Sequence, residues 1–218
     1  MIKAIIFDFD GVIAESNDVK TEVFVRLFKK YPSYVTEQIR KFHLRNGGMS
    51  RFDKFRYIYA NILERPLSDE KFSKLCDDFK RFVFEGVVNA PAVLGIENFL
   101  KRNKSKYRMY VASGTPQEEI IEIVKRRKLS RYFYGVYGSP TTKEKIIKNI
   151  LRENAHTQKE VVFLGDSIND YEGAVGAGID FVAKVSGSDE SNMFSSVNLK
   201  TKIGTIEEFQ KYLDQKEE

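Results

Sequence analysis

Short apolar runs with the length of buried β-strands recur along the chain, and helical patterns separate the later ones. The runs are rich in Val, Ile, Phe and Tyr and span residues 2–7, 108–112, 133–137, 161–164 and 180–185. A strand of a parallel sheet is apolar on both sides because helices cover both faces of the sheet. The alternation therefore predicts an α/β fold with a doubly wound, Rossmann-like parallel sheet.

The alternation stops between about residues 16 and 86, where apolar residues recur at helical intervals only. Four such stretches follow one another, and Pro32, Asn46-Gly47-Gly48 and Arg65-Pro66 separate them. Successive amphipathic helices of this kind pack as a small bundle. We therefore predict an α-helical bundle, residues 16–87, inserted into a core made of residues 1–15 and 88–218.

Composition limits the class of protein. Hydrophobic residues make up 42% of the 218 residues, enough for a sizeable core, and the single Cys76 excludes an internal disulfide. No apolar run approaches the roughly 20 residues that span a bilayer, and residues 1–7 are too short a run for a signal peptide. We expect a cytoplasmic protein with no membrane partner.

The net charge of +5 comes partly from two basic clusters, residues 101–104 and 125–128. Both clusters lie at the ends of predicted amphipathic helices, where cations interact favourably with the helix dipole. No aromatic and basic recognition pattern accompanies them, so we interpret them as solvated surfaces. We expect no nucleic-acid partner.

Polar residues follow four of the predicted strands. They are Asp8, Asp10, Ser113, Gly114, Thr115, Lys143, Asp166 and Asp170. The carboxyl ends of parallel strands meet at one edge of the sheet, where such folds bind their ligands. Four carboxylates in one crevice repel one another unless a cation binds, and Mg²⁺ prefers such oxygen ligands. With only His43 and His156 in the chain, we expect no zinc site.

The segment after the second strand also carries a helix start signal. Pro116 suits the first position of a helix, where no amide donor is needed. Glu118 can complete a capping box with Thr115. We therefore predict that Thr115 is the N-cap of the following helix.

These strand-end residues resemble, in order and spacing, the four motifs of the haloacid dehalogenase superfamily of phosphohydrolases. The first motif resembles Phe7-Asp8-Phe9-Asp10-Gly11-Val12-Ile13, and the second resembles Ser113. The third resembles Lys143, and the fourth resembles Gly165-Asp166-Ser167-Ile168-Asn169-Asp170. The helical insert resembles the cap domain of the branch that contains phosphoglycolate phosphatases and β-phosphoglucomutases. The resemblance spans nearly the whole chain and implies a phosphoric monoester hydrolase with a small phosphomonoester substrate.

The resemblance also implies a role for each motif residue. Asp8 is the nucleophile that forms an aspartyl-phosphate, and Asp10 is the general acid and base. The phosphate is bound by Lys143, Ser113, Gly114 and Thr115. Mg²⁺ is the cofactor, and its candidate ligands are Asp8, Asp10 through its backbone carbonyl, Asp166 and Asp170.

Two of these assignments have alternatives within the motifs. Lys145 competes with Lys143 as the third-motif lysine, although the position of Lys143 after Gly138-Ser139-Pro140 fits the family better. Asp170 is either a metal ligand, a residue that orients Lys143, or only a helix cap. The sequence leaves both questions open.

Two residues of the insert are candidate substrate ligands. Arg51 lies in Gly48-Met49-Ser50-Arg51, which is similar to the β-phosphoglucomutase loop whose arginine binds the far phosphate of a sugar bisphosphate. The alternative is a helix N-cap at Ser50 followed by a solvated arginine. Lys20 faces the crevice if its helix begins at Ser16, and is otherwise solvated.

Three functions are compatible with this pattern. The first is a Mg²⁺-dependent phosphatase for a sugar phosphate or a phosphorylated carboxylate. The alternative is a β-phosphoglucomutase-like phosphomutase. The argument against it is that Lys20 occupies the position at which those mutases have a histidine. A non-catalytic binding protein is the third, and the intact motif residues argue against it. The sequence does not distinguish a monomer from a homodimer.

Overall fold

A six-stranded parallel sheet forms the core of the protein in a computed structural model, which describes residues 1–185, 194–195 and 197–217. The strands are Ala4–Phe7 (β1), Arg108–Pro116 (β2), Gly135–Ser139 (β3), Val161–Gly165 (β4), Asp180–Lys184 (β5) and Lys202–Ile203 (β6). Among these described residues their order is β3-β2-β1-β4-β5-β6. The first five confirm the predicted strands to within a few residues. The sequence did not reveal β6 because two residues are too few for a recognisable apolar run.

Helices cover the sheet and form the insert. Their bounds are Asn17–Leu27 (α1), Ser33–Arg45 (α2), Arg51–Tyr57 (α3), Asp69–Asn89 (α4), Ile96–Asn103 (α5), Gln117–Arg126 (α6), Lys143–Glu153 (α7), Ile168–Ala177 (α8) and Ile206–Gln215 (α9). A π-helical turn, Ile58–Ile62, extends α3. Within the described part of the chain, no helix combines the length and apolarity needed to span a bilayer.

Side chains of β1 alternate between two apolar layers. Ile5 and Phe7 belong to the layer that includes apolar residues of α5, α6 and α9. Ala4 and Ile6 belong to the layer that includes residues of α7 and α8. This period of two is that of a strand buried on both sides. Helices on both faces confirm the predicted doubly wound α/β fold.

The four helices α1 to α4 confirm the four helices predicted for the insert. Aromatic rings lie at their centre, where the ring centroid of Phe24 is 5.3 Å from that of Phe55 and 4.6 Å from that of Phe79. Ser50 and Ser68 are the N-caps of α3 and α4, and each accepts a hydrogen bond from a backbone amide. These bonds satisfy donors that the first turn of a helix leaves unpaired.

Two neighbouring backbone segments join the insert to the sheet. Ala14 and Ala92 form an antiparallel bridge, and the amide of Glu15 donates a 2.9 Å hydrogen bond to the carbonyl of Pro91. The chain therefore leaves the sheet and returns to it through paired strands of backbone rather than through two separate loops.

The end of α6 holds the end of α4. Nη1 of Arg127 donates hydrogen bonds of 2.7 to 3.0 Å to the carbonyl oxygens of Val87, Val88 and Ala90. The last carbonyls of a helix have no partner inside the helix, so this guanidinium satisfies them. The contact anchors the return of the insert to the sheet. The predicted domain boundaries, after residues 15 and 87, stay a prediction.

The predicted capping box at Thr115 is wrong. Strand β2 continues to Pro116, which pairs with Ser139 of β3, and Pro116 rather than Thr115 is the N-cap of α6. The Thr115 hydroxyl instead accepts a 2.8 Å hydrogen bond from Lys20 Nζ. Because Thr115 is still part of the strand, its side chain contacts Lys20 and does not cap α6.

Candidate active site

Asp8 and Asp10 lie in the turn that follows β1, and both are buried. The amide of Asp8 donates a 2.9 Å hydrogen bond to the carbonyl of Leu164, which fixes the turn against β4. The turn needs glycine at Gly11 because its φ is +75° and a Cβ there would overlap the carboxylate of Asp166. This turn therefore brings the first and fourth motifs into contact.

Lys143 lies at the start of α7 and points into the site. Its Nζ donates to Oδ1 of Asp8 at 2.9 Å and also to Asp170. Burial alone lowers its pKa, but the charges of Asp170 and Asp8 outweigh burial and hold the pKa above its ordinary value. Lys145 is exposed. The structure thus places Lys143, not Lys145, between the two carboxylates.

Asp170 lies in the first turn of α8 and is fully buried. One of its oxygens, Oδ2, accepts hydrogen bonds from the Ser167 hydroxyl at 2.6 Å and from the amides of Ser167 and Asp166 at 3.1 and 3.2 Å. The other oxygen accepts from Lys143. Asp170 therefore serves as a helix cap and orients Lys143, two of the roles that the sequence left open.

Three carboxylates form a cluster at this edge of the sheet. Oxygen atoms of Asp8, Asp166 and Asp170 lie within 4.8 Å of one another. Burial and then the charge of Asp170 raise the pKa of Asp8 to about 7. Burial and then the charge of Asp8 raise the pKa of Asp166 well above its ordinary value, although Asn17 donates a 2.8 Å hydrogen bond to it. The positive charge around these three carboxylates is too small to balance them, so the cluster fits a divalent cation.

Asp10 has a different environment from the other carboxylates. It accepts a 2.6 Å hydrogen bond from the Ser16 hydroxyl and pairs with Lys20 of α1. Burial raises the pKa of Asp10, but the Lys20 ammonium and the Ser16 hydroxyl outweigh burial and hold it below its ordinary value. Lys20 therefore contacts the site, and the solvated alternative for it is wrong.

The segment Ser113-Gly114-Thr115 lies at the carboxyl end of β2. Ser113 is buried, and its hydroxyl accepts a 3.1 Å hydrogen bond from the Thr115 amide. Gly114 is covered by the insert, because a Cβ there would overlap the backbone of Gly48. These hydroxyl and amide groups lie on the side of the site that faces the insert.

The loop before α3 covers the site directly. Asn169 donates a 3.0 Å hydrogen bond from its side-chain amide to the carbonyl of Gly48. Gly48 has a φ of +72°, and a Cβ there would lie 2.9 Å from Lys143 Nζ. The structure is therefore a closed form, in which the insert rests on the motif residues.

Arg51 is buried at the interface of the insert and the sheet domain. Its guanidinium pairs with Glu119 of α6, donates a 3.3 Å hydrogen bond to the carbonyl of Cys76, and lies 4.9 Å from the ring centroid of Phe79. The solvated alternative for Arg51 is wrong. Ser50 is nevertheless the N-cap of α3, as that alternative required.

A cavity of about 60 Å³ lies between the insert and Asp10, and Lys54 and His43 are among the lining residues that the sequence did not predict. Lys54 follows Arg51 by three residues on α3, so helical spacing places both on one face, a signal that was available in the sequence. His43 lies in α2, far along the chain from the motifs. Only the packing of the helices brings it to the site.

Comparison with known proteins identifies the family. The profile of the haloacid dehalogenase-like hydrolases matches residues 5–184. The chain belongs to the haloacid dehalogenase-like hydrolase family. It is 31% identical over 186 residues to the phosphorylated carbohydrates phosphatase of Thermotoga maritima, which is 82% of this chain and 83% of the relative.

Solved structures share the fold of this haloacid dehalogenase-like protein over nearly its whole length. A predicted phosphatase from Clostridium acetobutylicum has a TM-score of 0.78 and 18% identity and covers 99% of each chain. A predicted phosphoglycolate phosphatase from Haemophilus somnus has a TM-score of 0.75 and 16% identity and covers 97% of this chain and 98% of the other. The predicted membership of the superfamily is confirmed, whereas the roles of individual residues stay predictions.

Proposed function

We propose that this protein is a Mg²⁺-dependent phosphatase that hydrolyses a small phosphomonoester through an aspartyl-phosphate on Asp8. The observation that carries the proposal is the pairing of buried Asp8 with Lys143 beside a second aspartate, Asp10, that has its own cation in Lys20. Two carboxylates in different environments suit two chemical roles. The Thermotoga relative is named for phosphatase activity on phosphorylated carbohydrates, which supports the same reaction class.

In the first step, an oxygen of Asp8 attacks phosphorus and the bond from phosphorus to the leaving oxygen breaks. Lys143 holds Oδ1 of Asp8, and among the described residues no donor contacts Oδ2, so Oδ2 is available for the attack. Asp10 has to carry a proton at the start of this step, and it becomes ionised when it transfers that proton to the leaving oxygen. The proposed products of this step are the released alcohol and the aspartyl-phosphate.

In the second step, water attacks phosphorus and the bond to Asp8 breaks. Asp10, left ionised by the first step, removes a proton from the water and so regains the proton that it gave to the leaving oxygen. The Lys20 and Ser16 contacts that lower its pKa stabilise the ionised form that acts as the base. The proposed ligands of the phosphoryl oxygens are Lys143, the Ser113 hydroxyl and the backbone at Gly114 and Thr115. Donors of this kind stabilise the charge that develops in phosphoryl transfer.

The acidic cluster fits Mg²⁺, with Asp8, Asp166 and the backbone carbonyl of Asp10 as its proposed ligands. Asp170 is a less suitable ligand, because both of its oxygens already accept hydrogen bonds from the protein. When bound, Mg²⁺ would neutralise part of the charge on the phosphoryl group and on the attacking carboxylate. The raised pKa values of Asp8 and Asp166 indicate that this charge is missing from the protein itself.

Mg²⁺ binding is expected to strengthen as the pH rises. The pKa of Asp8 is about 7, so its carboxyl group is about one-tenth ionised at pH 6 and about nine-tenths at pH 8. Because the ion displaces the proton, the dissociation constant should be at least about tenfold larger at pH 6, and the raised pKa of Asp166 adds to the effect. Titration with MgCl₂, followed by thermal unfolding at both pH values, measures the dissociation constant. NaCl at matched ionic strength is the control. Equal constants at both pH values would argue against Asp8 as a ligand.

The raised pKa of Asp8 also has a consequence for the protein without metal. The native state binds more protons than the unfolded state between the ordinary pKa of 3.8 and about 7. The contribution of Asp8 to stability should therefore fall as the pH rises through that range, and saturating Mg²⁺ should reduce the fall. Thermal unfolding of the wild type and of Asp8→Asn at several pH values between 4 and 8, with and without MgCl₂, isolates this contribution, since Asp8→Asn removes it.

Release of inorganic phosphate from a panel of phosphomonoesters with Mg²⁺ tests the proposed function. We expect turnover on the order of 1 to 100 per second for a good substrate and none after chelation by EDTA. The phosphomutase alternative is separated by incubation with α- and β-hexose 1-phosphates, with and without a hexose bisphosphate. Formation of hexose 6-phosphate that depends on the bisphosphate, with little free phosphate, would overturn the phosphatase assignment.

A further inference from the structure

One buried cation in the cavity, Lys54, has no counter-ion among the residues that the structure describes. The charged side chains that line the cavity are Asp10, Lys20, Arg51, Lys54 and Glu119. Lys20 pairs with Asp10, and Arg51 pairs with Glu119. Lys54 forms no ion pair with any residue that the structure describes; its polar contacts are with His43. When Lys54 is protonated, the side chains that line the cavity therefore have an excess of one positive charge.

The ammonium group of Lys54 retains a free donor. Its Nζ donates to Nδ1 of His43 at 3.0 Å and to the backbone carbonyl of His43 at 3.4 Å. An ammonium group has three N–H donors, and the described residues supply these two acceptors. The residue is only 3% exposed, so bulk solvent does not satisfy the third N–H. That donor is available to a ligand in the cavity.

The surroundings of Lys54 destabilise its charge when the cavity holds no anion. Burial and then the charge of Lys20 lower the pKa of Lys54 to about 7. Burial and then Lys54 lower the pKa of His43 well below its ordinary value, so the imidazole is neutral and accepts the hydrogen bond. An anion in the cavity would supply the missing counter-charge and stabilise the ammonium form.

We propose that Lys54 binds a second anionic group, a carboxylate or a phosphate, on the leaving group of the substrate. The inference rests on the proposed phosphatase function, in which Asp10 protonates the leaving oxygen. Asp10 lines the same cavity, which identifies the cavity as the leaving-group side of the site. Arg51, the sequence-based candidate for this task, is already paired with Glu119.

The size of the cavity limits the leaving group. Its volume of about 60 Å³ favours a compact leaving group. The proposed substrate class is therefore a compact phosphomonoester with a second negative charge.

The experiment compares the Lys54→Met variant with the wild type on substrates that differ in that second charge. The substrates are phosphoglycolate, glycerol 1,3-bisphosphate and, with an uncharged leaving group, glycerol 1-phosphate. A hydrogen bond to a charged group contributes enough for about a 10- to 100-fold effect on KM. We expect that increase for one or both of the substrates with a second anionic group and less than about a twofold change for glycerol 1-phosphate. A larger increase for phosphoglycolate assigns a carboxylate to the subsite, and a larger increase for the bisphosphate assigns a phosphate.

The matched control is Lys80→Met, which removes an exposed lysine from α4 of the same insert. Thermal unfolding checks that each variant folds, and Lys54→Gln, which keeps an N–H donor without the charge, replaces Lys54→Met if that variant is unfolded. Equal KM changes for all three substrates, or none, would overturn the inference and leave the phosphatase function intact. If the wild type releases no phosphate from any of them or from p-nitrophenyl phosphate, the proposed function fails and the inference fails with it.

Discussion

The Asp8→Asn variant is expected to lose turnover by a factor of about a thousand or more, because an amide of equal size cannot act as the nucleophile. The fold should be retained. Asp8 lies in a cluster of three buried carboxylates, and burial together with Asp170 already disfavours its charge. Removal of one negative charge should therefore leave the melting temperature unchanged or higher. Phosphate release and thermal unfolding, measured on the same preparation, check both statements.

The matched control for this variant is Asp18→Asn, which changes an exposed carboxylate in the first turn of α1. Its activity should equal that of the wild type. Deamidation of the introduced asparagine would restore the aspartate, so mass spectrometry must accompany the assay. A tenth of the wild-type rate in a preparation free of deamidation would contradict the assignment of Asp8 as the nucleophile.

The Lys143→Met variant is expected to lose both stability and activity. The side chain is buried between Asp8 and Asp170, and its loss leaves two buried carboxylates without their cation. Breaking a buried pair from one side costs about 3 to 5 kcal/mol of unfolding free energy. Loss of a donor to the phosphoryl group should lower kcat by a further factor of about 100 to 1,000. Urea unfolding and steady-state kinetics measure the two effects.

The pH dependence separates this charge effect from lost packing. At pH 5 the carboxyl groups left without Lys143 bind protons, so the stability difference from the wild type should be smaller at pH 5 than at pH 8. Lys145→Met is the control, since Lys145 is exposed, and its stability should change by less than about 0.5 kcal/mol. A stability loss that is the same at both pH values would indicate that Lys143 acts through packing alone.

The positions of the motif residues could be predicted because they depend on the sheet. Buried parallel strands are readable from their apolar runs, and their carboxyl ends must lie at one edge. The proximity of Asp8 to Asp166, and of Lys143 to Asp170, follows from that geometry. Family resemblance then added chemical roles that spacing alone does not give.

The part of the site between the insert and Asp10 could not be predicted in the same way. It depends on how α1, α2 and α3 pack on one another and on the sheet, and amphipathic periodicity gives the buried face of a helix but not its partner. Lys54 and His43 were therefore not among the predicted site residues, and the ion pair of Arg51 with Glu119 was not expected. The extension of β2 through Thr115 also depends on tertiary context, namely the pairing of Pro116 with Ser139.

The paired backbone at Ala14 and Ala92 affects the thermodynamics of opening and closing. Because the two connections are bridged to each other, they must bend together, and Arg127 fixes the end of α4 beside them. Rotation of the insert then changes few backbone dihedral angles, so closure orders little of the chain and its entropic penalty is small. The free energy that a ligand must supply for closure is therefore expected to be small. The compact, doubly charged substrate proposed above would be able to supply it.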